Sequence, residues 1–391
     1  MFNRGTQSRL VRVAAVGATS MCLIATGCFM VSSSAAAAKK KVTGLPKVIK
    51  IHAISDLTGA AALYGQAELK GWDLAVKQIN SSGLLGKSKI DFSTSDDTSS
   101  STVAAGLASQ AVNGKYAVVI SAPASANAVV EAPIFSKAHQ VTVFNQAGSS
   151  GVLISPYMFR LTPTAANQYP AALQYLQSQN VKSVADIYLD DNPTLTGVDA
   201  VVASDASTYG LTDVGHVGIT STTTDVTSAV TTILGFKPGA VAILLNGAAA
   251  ASVVSQLRAD GFTGQIIAYS SIGVGVLSGL GASANGVVWP SDWIAPGTTA
   301  TSIKFAASFQ KAYGVTATNY SAESFDSMYF IAYALKLAGT TNQVKLKNAM
   351  TTVGEKGFNG VLSNGIKVID GQEIASARLA VWVNGAAAIL K

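Results

Sequence analysis

Short apolar runs alternate along most of this chain with longer stretches whose apolar residues recur every three or four positions. "VIKIHAI" predicts a first buried strand. "YGQAELKGWDLAVKQIN" then places Leu69, Trp72, Val76 and Ile79 on one helical face, and "SSG" ends it. "KIDFSTS" predicts a second strand, "TVAAGLASQAVN" a helix and "YAVVI" a third strand. "SANAVVEAPIFSKAH" predicts a helix with Pro133 as a kink or break, and "QVTVF" a fourth strand. Strands separated by helices imply parallel βαβ units.

The rhythm restarts after "PYMFRLTPTAANQY". "AALQYLQSQ" reads as a helix, "SVADIYL" as a strand, and "DDNPTLTG" as a loop leading to "VDAVVASDASTYG". Then come "VAILL", the helical "ASVVSQLRADG", "QIIAYS" and "GVVWP". Two successive α/β lobes account for this most economically. Three helices in series follow, "TSIKFAASFQKAYG", "SAESFDSMYFIAYALKLAG" and "VKLKNAM", before the short strands of "FNGVLSNGIKVIDGQ" and "ARLAVWVNG". Such an ending suggests that the chain returns to complete lobes already built.

Charge sets the N-terminal segment apart. Six of the 27 Lys and Arg residues precede Val42 and no acid does, so the remainder carries 21 basic against 21 acidic residues. The pI near 9.1 therefore belongs to that segment and is no sign of nucleic-acid binding. Arg4, Arg9 and Arg12, the apolar "VAAVGATSMCLIAT" and the small residues of "SSSAAAA" have the layout of a leader over residues 1–38. A membrane anchor competes, but the apolar core is short. Residues 39–46 then form a polar linker. Both cysteines, Cys22 and Cys28, sit in the leader, so the body has neither a disulfide nor a thiol nucleophile. "ATGC" resembles a bacterial lipobox, in which Cys28 would be acylated, although Ala25 stands where such motifs prefer leucine. Two outcomes stay open: a freely secreted protein or a lipid-anchored one.

Enzyme signatures are scarce. His52, His139 and His216 are scattered without metal-ligand spacing, so no metal is expected. "GVGVLSGLG" has Ser278 where a dinucleotide loop needs its third glycine, and no P-loop or GxSxG elbow occurs, so no cofactor is expected. "SDD" at Ser95–Asp97 could carry carboxylate chemistry or, more economically, cap the next helix from a solvated loop. Anion binding is better supplied. "SAPASAN" offers Ser121 and Ser125 just before a helix, and "NQAGSSG" offers Asn145, Ser149 and Ser150. With "SDLTGAAALYG" these loops leave one edge of a sheet, where helix N-termini direct unpaired N–H groups at ligands. Each serine alone is more economically read as an N-cap, and it is three such loops together that point to a ligand.

These loops carry a resemblance. "IKIHAISDLTGAAALYGQAELKGWDLAVKQINSSGLLG", "FRLTPT", "SFDSMYFIAYALKLAG" and "FNGVLSNGIKVIDGQ" are similar to blocks of the leucine/isoleucine/valine-binding family of solute receptors for ABC transporters. The resemblance runs from Lys47 to the C-terminus. It implies the type I periplasmic-binding-protein fold: two Rossmann-like lobes joined by three hinge crossovers near Thr162, Trp289–Ser291 and Leu379–Trp382. Lobe 1 would comprise residues 47–162 and 291–378, and lobe 2 residues 163–290 and 379–391.

The resemblance also implies site residues. Tyr64 would wall the cleft, Ser125 would bind a ligand carboxylate, and the Ala147 carbonyl would take a ligand ammonium. Ser149 would add a hydroxyl, and Phe325 would line the pocket from the late helix. Amino-acid binders of the family place an acid after the strand equivalent to "QIIAY" and a tyrosine in the preceding loop. This chain has Ser270 and Ser271 at the first place and "NGAAAA", with Ala248, at the second. That departure argues against a free branched-chain amino acid and leaves amides, small acids, aromatic acids and other amino-acid-like molecules open. The expected protein is an exported, monomeric receptor that does no chemistry and hands a small molecule to an ABC permease. A sensory receptor of the same fold and a secreted α/β enzyme are the alternatives.

Overall fold

The computed structural model describes residues 44–375 and 377–390; the leader, Cys28 and most of the linker lie outside them. The first lobe opens with β1 (Val48–Ser55), α1 (Ala62–Ser82), β2 (Lys89–Asp96), α2 (Ser101–Ala111) and β3 (Val118–Ser121). It continues with α3 (Ser125–Lys137), β4 (Thr142–Asn145) and β5 (Met158–Leu161). These strands pair in parallel in the order β5-β4-β3-β1-β2. β3 and β4 are buried along their whole length, which is why they read as unbroken apolar runs. α3 runs through Pro133 without a break.

The second lobe repeats the scheme. It consists of α4 (Ala165–Ser178), β6 (Ser183–Leu189), α5 (Pro193–Asp205), β7 (Thr212–Ile219), α6 (Thr227–Gly235) and β8 (Ala240–Leu244). α7 (Gly247–Ala259), β9 (Gln265–Ala268) and β10 (Val287–Ser291) follow. α5 begins inside the segment that reads as a loop. The Asn192 side chain accepts the amides of Thr194 and Leu195 at 3.0 and 3.3 Å, and Pro193 at the first helical position needs no acceptor. β7 and α6 carry no clear signal in the sequence. β7 is an edge strand with most positions part-exposed, so its apolar alternation is weak.

The chain then returns to lobe 1 with α8 (Ala300–Tyr313), α9 (Asn319–Ala338), α10 (Gln343–Lys356), β11 (Lys367–Ile369) and β12 (Gln372–Ile374). β12 pairs with β5, and β11 lies outside it. β13 (Arg378–Val383) and β14 (Ala386–Ile389) finish lobe 2 by antiparallel pairing beside β10. Among the described residues each lobe thus holds a seven-stranded sheet. The chain changes sheets between Leu161 and α4, after Ser291, and before Arg378. Trp289–Ser291 and Leu379–Trp382 lie within β10 and β13, so the second and third crossings flank them rather than coincide with them.

α1 and α9 pack closely. A Cβ on Gly71 would stand 2.0 Å from Ser324 Oγ and 2.3 Å from the Ser321 carbonyl oxygen, so only glycine admits that approach. This contact fixes the angle of α1, whose first turn carries Tyr64 toward the other lobe.

Candidate functional site

The parallel sheets direct the C-terminal ends of their strands and the N-termini of the following helices to the space between the lobes. A cleft of about 720 Å³ lies there. Lobe 1 contributes Tyr64, Ser125, Asn127 and Tyr320, and lobe 2 contributes Thr194, Asn246, Ala248 and Tyr269. The lobes touch across it. The Tyr64 hydroxyl accepts the Gly247 amide at 2.8 Å, and the hydroxyls of Ser125 and Thr194 lie 2.6 Å apart. The Tyr64 and Tyr320 rings stack with centroids 5.1 Å apart, and Val274 of lobe 2 packs against the pair. Burial pushes the Tyr64 phenol up to about 12, so it remains a neutral hydrogen-bonding group.

Helix ends supply the polar character of the walls. α3 and α7 both begin at the cleft without an N-cap side chain, so their first-turn amides, apart from that of Gly247, which Tyr64 accepts, are left for a ligand. α5 also begins there, but Asn192 already accepts two of its amides. Among the described residues no Lys, Arg or His lines the cleft, and Asp191 is its acidic lining residue. The Asp191 carboxylate accepts the Ser221 amide at 2.9 Å and the Ser221 hydroxyl at 2.7 Å.

Behind α3, Asp56 and Asp97 are wholly buried and share the Asn127 amide group, at 3.1 and 2.8 Å. Burial, with the neighbouring Asp97 charge adding to it, pushes the Asp56 carboxyl up to about 7. The "SDD" segment does not cap α2, whose N-cap is Ser100, accepting the Val103 amide; Asp96 is half-buried at the end of β2. Desolvation raises its carboxyl, but the Thr58 hydroxyl and the amides of Thr98, Thr58 and Leu57 donate to it and together hold it below the usual range.

The structure brings together Tyr64, Ser125 and Ala248, which all line the cleft. It places the others elsewhere. The Ala147 carbonyl accepts Arg160 Nη1 at 2.9 Å and is wholly buried, so it has no face toward the cleft. The same nitrogen donates to the Ser149 carbonyl, while the Ser149 hydroxyl accepts the Gly151 amide at 3.3 Å. The intervening Gly148 approaches the cleft instead: a Cβ there would meet the Thr194 methyl at 3.0 Å and the Tyr269 hydroxyl at 3.2 Å.

Ser270 is buried next to Tyr269, and the lining residue is Tyr269 itself, at the exit of β9. Its place directly after the apolar run "QIIA" is the signal that marks it. Phe325 packs between Phe305 and Tyr329 in the lobe 1 core. Five residues at about 100° each carry it roughly 140° around α9 from Tyr320, so the two cannot share a face.

A model of the periplasmic binding protein family matches residues 48–387. A comparison with curated proteins returns no match. Among solved structures, a leucine binding protein, LivK, from Thermotoga maritima superposes with a TM-score of 0.81 at 21% identity, covering 88% of this chain and 98% of that one. LivJ from Streptococcus pneumoniae, a branched-chain amino acid transporter substrate binding protein in complex with isoleucine, gives 0.80 at 22% identity, with 88% and 100% covered. An ABC transporter solute binding protein from R. palustris in complex with benzoate gives 0.79 at 18% identity, with 88% and 95% covered. The chain belongs to the periplasmic binding protein family, and its fold is the two-lobed one of these receptors. No helix among the described residues is long and apolar enough to cross a membrane.

Proposed function

From that membership we propose that this protein captures a small organic molecule outside the cytoplasm, between its two lobes, and presents it to an ABC permease. The ligand class is a small or aromatic carboxylate, or an amide, without a free ammonium group. The character of the cleft carries this reading: tyrosines, hydroxyls, amides and two uncapped helix N-termini line it, and its acidic lining residue is already engaged. A carboxylate can be held by helix-end amides and the Ser125 hydroxyl without a cationic side chain. An ammonium buried without an acceptor costs several kcal/mol. Tyr64, Tyr269 and Tyr320 supply faces for an apolar or aromatic body. Among the structural relatives, the receptor solved with benzoate supports an aromatic acid as strongly as the one solved with isoleucine supports an amino acid.

Binding shifts the lobes toward the closed arrangement because only that arrangement engages the ligand from both sides. Calorimetric titration of the mature chain with benzoate, 4-hydroxybenzoate, benzamide and leucine tests the proposal. Saturable heat with an aromatic acid or amide and none with leucine is expected. Sub-micromolar leucine binding would show that another acceptor serves the ammonium and would overturn the ligand class.

A further inference from the structure

A second cluster of polar side chains lies away from the cleft, in lobe 2. Register pairs Asp186 of β6 directly with His216 of β7, and α5 brings Asp199 over the same two strands. His216 Nδ1 stands 2.7 Å from Asp186 Oδ2 and 2.7 Å from Asp199 Oδ1. His216 Nε2 is 2.6 Å from Asp213 Oδ2. Among the described residues, every ion pair within 4.0 Å converges on this one imidazole.

One imidazole nitrogen has one hydrogen or one lone pair, yet two carboxylates crowd Nδ1. Its hydrogen-bond geometry satisfies Asp186 Oδ2 alone. Asp199 Oδ1, at the same distance, finds no hydrogen-bond partner. Asp186 is wholly buried, and its other oxygen, Oδ1, has no partner either. The Tyr169 hydroxyl on α4 is also wholly buried and unpartnered. Three carboxylates thus converge on one imidazole, whose two nitrogens can each serve only one of them. A buried carboxylate oxygen without a donor is costly, and a cation relieves that cost.

We propose that Asp186, Asp199 and His216 form a binding site for one divalent transition cation of the zinc type, with Asp213 orienting the histidine. The donor set, one imidazole nitrogen and carboxylate oxygens with a position left for water, is one that zinc accepts. One candidate atom from each of the three residues falls within 4.8 Å of the others. Around a tetrahedral ion with donors at about 2.0–2.2 Å, neighbouring donors stand about 3.4 Å apart. The 2.7 Å separations at Nδ1 would therefore open by about 0.7 Å as the ion replaces the proton. The contact from Nε2 to Asp213 is the carboxylate–histidine arrangement that fixes the tautomer and leaves Nδ1 free to ligate. His216 and Asp199 keep part of their side chains in solvent, 32% and 21%, which gives the ion a way in. The bound ion would tie α5 to the sheet, and the first turn of α5 presents Thr194 to the cleft.

The test is calorimetric titration of untagged, chelator-stripped mature protein with zinc chloride, alongside visible absorption with cobalt chloride. One equivalent of saturable binding is expected, with cobalt d–d bands indicating four- or five-fold coordination. His216→Ala and Asp199→Asn should each weaken zinc binding at least tenfold. Asp213→Asn should weaken it by about 10–100-fold, the usual effect of losing an orienting partner. His139→Ala, in a residue that stacks on Tyr157 in lobe 1, should bind zinc like the parent. Absence of saturable zinc binding up to millimolar concentration would overturn the site, as would unchanged binding in both His216→Ala and Asp199→Asn. Should His216→Ala fail to fold, Asp199→Asn and the cobalt spectrum of the parent decide the matter.

Discussion

The Tyr64 hydroxyl of lobe 1 accepts the Gly247 amide of lobe 2 at 2.8 Å, so the first residue of α7 is held by a side chain from the opposite wall. Tyr64→Phe keeps the ring and its stack on Tyr320 but removes this acceptor. The net loss is about 0.5–1.5 kcal/mol of interlobe contact. Small-angle scattering of ligand-free protein should show a larger radius of gyration for Tyr64→Phe, because the open population rises. Identical profiles for parent and variant would mean that the bond does not hold the lobes together.

Ser125 and Ser149 should behave differently although each follows an apolar strand of lobe 1, β3 and β4 respectively. Ser125→Ala removes a hydroxyl from the cleft and its 2.6 Å partnership with Thr194. Ligand affinity should fall by about 1–3 kcal/mol, the cost of losing a hydrogen bond to a charged group. Ser149→Ala alters a side chain that serves the Gly151 amide, so its affinity should match the parent within about 0.5 kcal/mol. Titration of both variants with the aromatic acid that binds the parent separates them. Equal losses would place Ser149 at the ligand after all.

Stability should fall as pH rises from about 4 to 7. Asp326 is buried in the core of lobe 1, and burial pushes its carboxyl from 3.8 up to about 7 despite accepting the amides of Val361 and Leu362 at 2.8 Å. A carboxyl raised by folding binds its proton more tightly in the native state. Its stabilising contribution is complete below the unfolded value and is lost as pH climbs through the folded one. Asp56, also raised to about 7, acts in the same direction. Differential scanning calorimetry should give a higher Tm at pH 5 than at pH 8, with a shallower slope in Asp326→Asn. A Tm that rises over this interval would show the carboxyls to be ionised in the folded protein.

Two glycine replacements should have opposite signs. Gly71→Ala forces a Cβ to 2.3 Å from backbone of α9, so the helix pair must separate, at a cost of about 1–3 kcal/mol. Gly106, on the exposed side of α2, meets nothing within 4 Å. Gly106→Ala should stabilise by up to about 1 kcal/mol, the helix-propensity difference. Urea midpoints of the two variants, on either side of the parent, check the pair.

Much of this protein is legible in its residue order. Apolar runs such as "YAVVI" and "QVTVF" are buried on both faces of a parallel sheet, so they stand out against the amphipathic helices between them. Their alternation suffices for two α/β lobes. Tyr64 and Ser125 sit in loops that leave strand ends, where ligands of such sheets bind, and the family resemblance points to Ala248; all three line the cleft. Other features depend on contacts between residues far apart in the chain. α9 is buried nearly all round, so no stripe distinguishes Tyr320 at the cleft from Phe325 in the core. The Ala147 carbonyl is open to a ligand in sequence terms, yet Arg160, thirteen residues on, takes it once β5 lies beside β4. Asp186 and His216 are thirty residues apart, with no spacing to link them, until the register of β6 on β7 sets them side by side and α5 lowers Asp199 onto the pair. Periodicity reports which face of an element avoids water, and the sequence by itself determined that much. Which polar groups meet on the hidden faces depends on strand register and helix crossing, and only the tertiary structure decided it.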